Sequence, residues 1–124
     1  MQGATSHKVL IVDEDVISVI AAEEALRGDA YETAHLTTPA GFWAKLDYEK
    51  PDLLLIDVYM RLFNSTSILE QLRSEEAYED VAIVIFSDRS AEELQEVCVE
   101  KDINGYFCKT QEITQLPEFL KNFL

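Results

Sequence analysis

The sequence is poor in cysteine, and this excludes two common ways of building a small protein. Only Cys98 and Cys108 occur among 124 residues. Two cysteines cannot form the dense disulfide framework of small secreted domains, and their spacing matches no metal-binding motif. We therefore expect two reduced thiols in a cytoplasmic protein.

Glycine, proline and long apolar runs are also scarce. The chain has four glycines and three prolines, with no linker and no low-complexity segment. No apolar run approaches the roughly 20 residues that span a bilayer, and the opening MQGATSHK lacks the apolar core of a signal peptide. We expect no membrane insertion. An apolar content of 48% is typical of one globular domain, with residues 1–7 as a flexible tail ahead of it.

Basic residues are the third shortage. Ten Lys and Arg residues face 24 Asp and Glu residues, which gives a formal net charge of −14. Nucleic acids and anionic membranes are bound through basic surfaces that neutralise phosphates. The composition therefore argues against direct nucleic-acid binding and favours partners that are proteins or cations.

Against these shortages stands a regular alternation of strand and helix patterns. Continuous aliphatic runs cover 8–13 (KVLIVD), 52–58 (DLLLIDV) and 81–87 (VAIVIFS), as is typical of strands buried on both faces. Residues 31–36 (YETAHL) alternate and predict an edge-like strand. A short fifth strand is predicted at 105–109 (GYFCK).

Five helix-length segments fill the gaps between these strands. They cover 15–28, a stretch opened by Pro39, 65–76, a stretch that follows Ser90, and about 114–124. Thr38 is the predicted cap of the second helix, and Ser90 opens the fourth in a capping box with Glu93. Pro117 fits only the first turn of a helix, so the last helix is expected to start late.

Strands that alternate with helices predict the α/β class, with a doubly wound five-stranded parallel sheet and helices on both faces. Right-handed crossovers leave few topologies for such a chain. In open sheets of this kind, ligands bind beyond the carboxyl ends of the strands. The residues at those ends are therefore the candidates for a functional site.

Charged and hydroxyl side chains follow four of the five predicted strands. Asp13 and Glu14 follow the first, Asp57 the third, Ser87 the fourth and Lys109 the fifth. Taken singly, such residues are more often helix caps, turn formers or surface charges, but their joint occurrence favours a site. Neighbouring carboxylates repel one another, and Mg²⁺ relieves the repulsion. With Ser87 and Lys109 to neutralise a phosphoryl group and Asp57 as nucleophile, the set suits phosphoryl transfer.

These residues lie in LIVDED, LLLIDVYM, IVIFSD and GYFCK, and over about residues 8–124 the chain resembles the receiver domain of two-component response regulators. The resemblance to these chemotaxis-regulator-like domains implies a flavodoxin-like (βα)5 fold with strand order 2-1-3-4-5. It implies a receiver domain over 8–124. It also implies a Mg²⁺ cofactor held by Asp13, Glu14, Asp57 and the backbone carbonyl of Tyr59.

The resemblance further implies a phosphorylation-activated switch. Asp57 would accept a phosphoryl group from a histidine kinase or phosphotransfer protein, and Ser87 and Lys109 would contact that group. Ser87 and Tyr106 would be the switch residues, although an ordinary half-buried aromatic explains Tyr106 nearly as well. The signal would reach a downstream protein through the face formed by helix 4, strand 5 and helix 5. The chain would not be an enzyme beyond self-phosphoryl transfer and autodephosphorylation.

Several positions depart from the family pattern and keep a second function open. Arg61 stands where a proline usually follows Met60, Ser65 replaces a glycine, Asp88 replaces a small residue, and Thr110 replaces the proline after the fifth strand's lysine. The alternative is an atypical pseudo-receiver that keeps the fold and binds partners constitutively. Whether this chain stands alone or belongs to a longer protein is open, and we expect no effector within these residues.

Two further interpretations concern the loops. A flavodoxin-like electron carrier has the same architecture, but its flavin phosphate needs a donor-rich first loop, and DEDV would repel it. Tyr59 and Arg89 each lie two residues beyond a site residue, Asp57 or Ser87. In the receiver resemblance they flank the path of the hydrolytic water, which predicts slow loss of the phosphoryl group.

Overall fold

The computed structural model describes residues 6–61 and 65–124, and a five-stranded sheet lies at its centre. Its strands are β1 (His7–Val12), β2 (Tyr31–Leu36), β3 (Leu53–Ile56), β4 (Ala82–Ser87) and β5 (Gly105–Cys108). All neighbouring strands are parallel, in the order β2-β1-β3-β4-β5. This confirms the predicted doubly wound, flavodoxin-like α/β fold and its strand order.

The aliphatic runs account for which strands are central. Every residue of β3 and β4 is buried, whereas β2 is partly exposed along its whole length. Side chains of successive strand residues point to opposite faces, so the runs supply apolar groups to both sides of the sheet. The alternating YETAHL segment forms an edge strand as predicted.

Five helices cover the two faces. They are α1 (Val16–Arg27), α2 (Phe42–Glu49), α3 (Ser65–Ser74), α4 (Ala91–Lys101) and α5 (Leu116–Leu120). Leucines and other apolar residues of α2, α3 and α4 pack in one core cluster, and those of α1 and α5 pack in a second. The sheet lies between these clusters, which leaves the carboxyl ends of its strands free for a site.

Strong capping residues mark the helix starts that the sequence predicted correctly. The Asp15 side chain caps α1 by accepting hydrogen bonds from the Ile17 amide at 3.2 Å and the Ser18 hydroxyl at 2.7 Å. Ser90 caps α4 by accepting from the Glu93 amide at 3.2 Å. Pro117 lies in the first turn of α5, which starts late as expected.

The predicted start of the second helix is wrong. Thr38 does not cap a helix at Pro39. It accepts a hydrogen bond from the Ala40 amide at 3.3 Å within a separate turn. Gly41 then adopts a left-handed φ of 77°, and α2 begins after it at Phe42. A left-handed residue interrupts a right-handed helix, so the Thr-Pro pair starts a turn instead.

Other boundaries differ less. The third helix ends at Ser74 and a 3₁₀ turn follows over Glu76–Tyr78, while α5 is a short helix between two further 3₁₀ turns. His7 is the first residue of β1 and pairs with Tyr31. The rest of the predicted tail falls mainly on residues 1–5, outside the described residues. No helix within 6–61 and 65–124 is long and apolar enough to cross a membrane.

Candidate functional site

Two aspartates lie side by side at the carboxyl edge of the sheet. β1 and β3 are in register with Val12 opposite Ile56. The first amide after each strand continues the pairing. The Asp57 amide donates to the Val12 carbonyl at 2.9 Å, and the Asp13 amide donates to the Leu36 carbonyl of β2 at 3.0 Å. Backbone pairing therefore brings Asp13 and Asp57 to neighbouring positions, as the sequence predicted.

Lys109 connects both carboxylates. Its amide donates to the Ser87 carbonyl at 2.7 Å, which extends the pairing of β4 with β5 by one residue. Its Nζ lies 2.7 Å from Asp13 Oδ2 and 3.2 Å from Asp57 Oδ2. One ammonium thus serves two carboxylates, and this trio carries a formal charge of −1.

Burial and charge act in opposite directions on the ionisation of this trio. Asp13 is fully buried, and this raises the pKa of its carboxyl group although Lys109 opposes the shift. Burial lowers the pKa of Lys109, but hydrogen bonding and charge from Asp13 and Asp57 outweigh it and leave that pKa raised. Lys109 is therefore protonated at neutral pH.

Each aspartate has one oxygen held by the backbone and one directed at the lysine. Asp13 Oδ1 accepts from the Asp15 amide and Asp57 Oδ1 from the Tyr59 amide, both at 2.9 Å. Asp13 Oδ2 is buried, and the Lys109 ammonium at 2.7 Å is its one close partner among the described residues. Such an incompletely satisfied carboxylate oxygen suits a hard divalent cation.

Glu14, the third predicted carboxylate ligand, lies apart from the pair formed by Asp13 and Asp57 with Lys109. Glu14 is exposed and lines a cleft of about 310 Å³ beside the site. Within 6–61 and 65–124, no three acidic, histidine or cysteine side chains lie together as a potential metal cluster. Ligation of Mg²⁺ by Asp13, Glu14, Asp57 and the Tyr59 carbonyl stays a prediction, for which the paired aspartates supply two neighbouring carboxylates.

The predicted switch residues lie near the site but in different environments. Ser87 is almost fully buried, and its Oγ accepts a hydrogen bond from the Arg89 amide at 3.1 Å. Tyr106 on β5 is half-buried and packs against the core cluster on the α4 side of the sheet. Their role in switching stays a prediction.

Tyr59 and Arg89, which lie two residues beyond Asp57 and Ser87, contact each other. The Arg89 guanidinium carbon lies 4.3 Å from the centre of the Tyr59 ring, a cation–π arrangement. Arg89 Nη1 also lies 3.4 Å from Glu93 Oε2. The sequence analysis did not identify Glu93 as a partner of Arg89. Their i, i+4 spacing across the start of α4 was the available signal.

A family model described as the response regulator receiver domain matches residues 9–121. The chain belongs to the response regulator receiver domain family. This membership confirms the resemblance drawn from the strand-end residues. Receiver domains are signalling modules of two-component systems and not enzymes acting on separate substrates. The membership also removes the electron-carrier interpretation.

Curated relatives place the receiver domain within longer proteins. The transcriptional regulatory protein PrrA of Mycobacterium bovis is 26% identical over 122 residues, which cover 98% of this chain and 52% of PrrA. PrrA of Mycobacterium leprae is 25% identical with the same coverage. This receiver domain therefore spans about half the length of these relatives.

Solved structures share the fold at low identity. The chemotaxis response regulator CheY4 of Vibrio cholerae superposes with a TM-score of 0.84 at 20% identity, covering 97% of this chain and 100% of CheY4. The receiver domain of sensor histidine kinase PA1611 from Pseudomonas aeruginosa gives 0.80 at 18% identity, with 96% and 98% coverage. That structure has a magnesium ion coordinated in its active site cleft.

Proposed function

We propose that this receiver domain is a phosphorylation-activated switch that accepts a phosphoryl group on Asp57 from a histidine kinase or phosphotransfer protein. The observation that supports this most is the shared lysine between two unequal aspartates. The Asp57 side chain is 15% exposed, whereas Asp13 is 0% exposed. Asp57 is therefore the carboxylate that a phosphoryl donor can reach.

Mg²⁺ is the proposed cofactor. Asp13 and Asp57 would hold it, with Glu14 and the Tyr59 carbonyl as further ligands. The negative charge left on the trio, and the buried Asp13 Oδ2 with Lys109 as its one close partner, support this proposal. When bound, the ion supplies positive charge to the phosphoryl oxygens.

The transfer itself requires little of the protein beyond positioning and charge. An oxygen of Asp57 forms a bond to phosphorus while the P–N bond of the donor phosphohistidine breaks. The imidazole leaves with the bonding electron pair and takes up a proton from water. Lys109 then turns its ammonium from the Asp57 carboxylate to a phosphoryl oxygen, and Ser87 donates its hydroxyl proton to another.

Movement of Ser87 would start the conformational response. Ser87 Oγ accepts a hydrogen bond from the Arg89 amide. If the hydroxyl turns to the phosphoryl group, the Arg89 amide loses this acceptor. Arg89 directly precedes Ser90, the cap of α4. The response would therefore reach the α4–β5–α5 face, with a rotation of Tyr106, and would change binding of a downstream protein.

Exposed apolar residues support a protein as the phosphoryl donor. Val16, Ile17 and Ile20 on the first turns of α1 are 54%, 78% and 50% exposed. This part of α1 follows directly on the loop that carries Asp13. A donor protein that brings its phosphohistidine to Asp57 would cover this apolar surface and gain its burial.

Beryllofluoride with Mg²⁺, which mimics an aspartyl phosphate, tests the switch. We expect amide ¹H–¹⁵N shifts at Ser87, along α4 and at Tyr106 in the wild type, and none there in Asp57→Asn. The pseudo-receiver alternative rests on the unusual Asp88 and Thr110. It predicts an unchanged spectrum in both proteins, and that result would replace the proposed function.

A further inference from the structure

An open groove lies between α4, β5 and α5, on the face proposed for output. It has a volume of about 500 Å³, and its apolar lining includes Val99, Ile103, Tyr106, Phe119 and Phe123. We call it the α4–α5 groove. Its volume is in the range of sites that hold ligands or side chains of a partner.

The floor of the groove is packed while one wall is open to solvent. The Phe119 ring packs at a tilt against buried Phe107 and edge-to-face against Phe123, with ring centres 5.5 Å and 5.3 Å apart. Val99 on α4, in contrast, is 74% exposed. A packed aromatic floor beside an exposed aliphatic side chain is an apolar surface, and its burial by a partner would be favourable.

Three exposed carboxylates belong to residues close in the chain to residues that line the groove, and we call them the acidic rim. Glu92 and Glu96 are helical neighbours of the groove residues Gln95 and Val99 on α4, and Glu112 follows Gln111 in the chain. The acidic rim therefore follows α4 and the loop after β5, the two segments that carry these groove residues.

Basic residues at the start of α4, at its end and just after α5 form ion pairs with carboxylates outside the acidic rim. Arg89 pairs with Glu93, Lys101 with Glu70 and Glu100, and Lys121 with Asp29 and Glu118. Within the part of the chain that the structure describes, no ion-pair partner is found for any carboxylate of the acidic rim. A basic partner would supply the missing counter-charge.

The charge pattern argues against a second copy of this chain in the groove. A two-fold contact presents the same patch on both subunits. It would place the acidic rim of one copy against that of another, and each copy has a net charge of −14. Like charges brought together across an interface oppose binding.

The backbone argues against an added strand. β5 is an edge strand of only four residues, Gly105–Cys108. The Cys108 amide already donates to Gln111 Oε1 at 3.0 Å, so this side chain occupies part of the edge. A helix laid into the groove needs no free strand edge.

We propose that the α4–α5 groove binds a basic amphipathic helix of a downstream protein. Its apolar side chains would cover Val99 and the Phe119–Phe123 floor, and its Lys or Arg residues would pair with the acidic rim. The inference rests on the proposed function, because it gives the output face a partner of defined chemistry.

Synthetic helices test the charge and the amphipathic pattern separately. The probe is a peptide of about five helical turns built from Leu, Ala and Lys, with Leu on one face and Lys on its flanks. One control replaces Lys by Glu, and a second scrambles the Lys peptide at constant composition. Binding is measured by fluorescence anisotropy and mapped by amide ¹H–¹⁵N shifts, first on the unmodified protein and then with beryllofluoride and Mg²⁺.

We expect only the amphipathic Lys peptide to shift the amides of Val99, Tyr106 and Phe123. The double variant Glu92→Gln, Glu96→Gln should weaken its binding about fivefold, as loss of two surface ion pairs predicts. The matched variant Glu75→Gln, Glu76→Gln removes the same charge after α3 and should leave the affinity unchanged.

Three results would overturn this inference: equal binding of the scrambled or Glu peptide, shifts outside the groove, or equal weakening by both double variants. Failure of the switch is a different result. In that case the Lys peptide still binds the unmodified protein in the groove, while beryllofluoride changes neither its affinity nor the spectrum.

Discussion

The two aspartates of the site have different surroundings. Asp13 is fully buried and has Lys109 at 2.7 Å, whereas Asp57 keeps part of its side chain exposed. A buried charge without a counter-ion is strongly destabilising. At the residue scale, Lys109 therefore has a structural role at Asp13 in addition to its proposed contact with a phosphoryl group.

This dual role gives a stability prediction. Lys109→Ala should lower the free energy of unfolding by about 3 kcal/mol at pH 7, because Asp13 is left buried and uncompensated. The deficit should shrink as the pH falls, since the pKa of Asp13 is raised by burial and protonation removes the charge. Urea denaturation at several pH values measures both effects.

The double variant Lys109→Ala, Asp13→Asn is the control. It removes the buried charge together with its partner and should recover most of the lost stability. A double variant as unstable as Lys109→Ala alone would show that the charge on Asp13 is not the cause.

Tyr59 and Arg89 give a prediction about the lifetime of the phosphorylated state. A hydrolytic water must approach phosphorus in line with the leaving carboxylate oxygen, and the stacked ring and guanidinium would obstruct that line. Tyr59→Asn with Arg89→Ala should speed dephosphorylation on the order of tenfold, about 1.4 kcal/mol in the barrier. Loss of phosphoprotein with time measures this rate.

Glu93→Gln is the matched variant for this experiment. It removes the ion pair with Arg89 at 3.4 Å but keeps both obstructing side chains. Dephosphorylation should therefore be no faster than in the wild type. If the Tyr59, Arg89 double variant also matched the wild type, these side chains would not guard the water.

At the residue scale, the sequence identified which site residues lie at the ends of strands, but it did not identify the contacts between side chains. Asp13, Asp57, Ser87 and Lys109 were identifiable because the ends of parallel strands meet at one edge. The i, i+4 spacing of Arg89 and Glu93 indicated a candidate pair, but whether the two side chains meet depends on how α4 leaves the loop. That geometry is set by packing and is not contained in residue types.

At the scale of elements, the sequence predicted a helix start correctly where a side chain caps the helix. It failed where a backbone conformation sets the start. Ser90 caps α4 as predicted. At α2 the Thr38-Pro39 pair gave an equally good local signal, but Gly41 takes a left-handed φ of 77° and moves the start to Phe42. Glycine allows this conformation without requiring it, so the sequence could not decide between the two starts.

Glu49 anchors α2 to β1, which gives a pH prediction. Hydrogen bonds from Lys45 and Lys8, both at 2.8 Å, lower the pKa of Glu49 below its ordinary value. Its stabilising effect is therefore complete above the unfolded pKa of about 4.3 and is lost as the pH falls through the lower folded pKa. Glu49→Gln should lower the free energy of unfolding by about 1 kcal/mol at pH 7.

Urea midpoints of Glu49→Gln and wild type should converge in acid, below pH 4 or so. Asp47→Asn is the control, because its pair with Lys50 at 3.7 Å has both side chains more than 70% exposed. We expect almost no effect from that change at either pH. If the loss of stability in Glu49→Gln were the same in acid as at pH 7, the charge of Glu49 would not be its cause.

At the scale of the whole molecule, the alternation of aliphatic runs with helical segments determined the architecture. Each run is long enough for one buried strand, and right-handed crossovers leave few arrangements for the helices. The α4–α5 groove was not predictable in this way. Its walls come from three elements, and their lateral packing decides whether Val99 is exposed and where Phe123 lies.

The central claim is that the whole fold serves to make Asp57 a metal-dependent phosphoryl acceptor. The most direct measurement is intact mass after incubation with phosphoramidate, a small P–N phosphodonor, with Mg²⁺ or with EDTA. We predict one added phosphoryl group on the wild type with Mg²⁺, none with EDTA, and none on Asp57→Asn under either condition. A wild type that gains no mass with Mg²⁺, or an Asp57→Asn variant that gains as much, would contradict the claim.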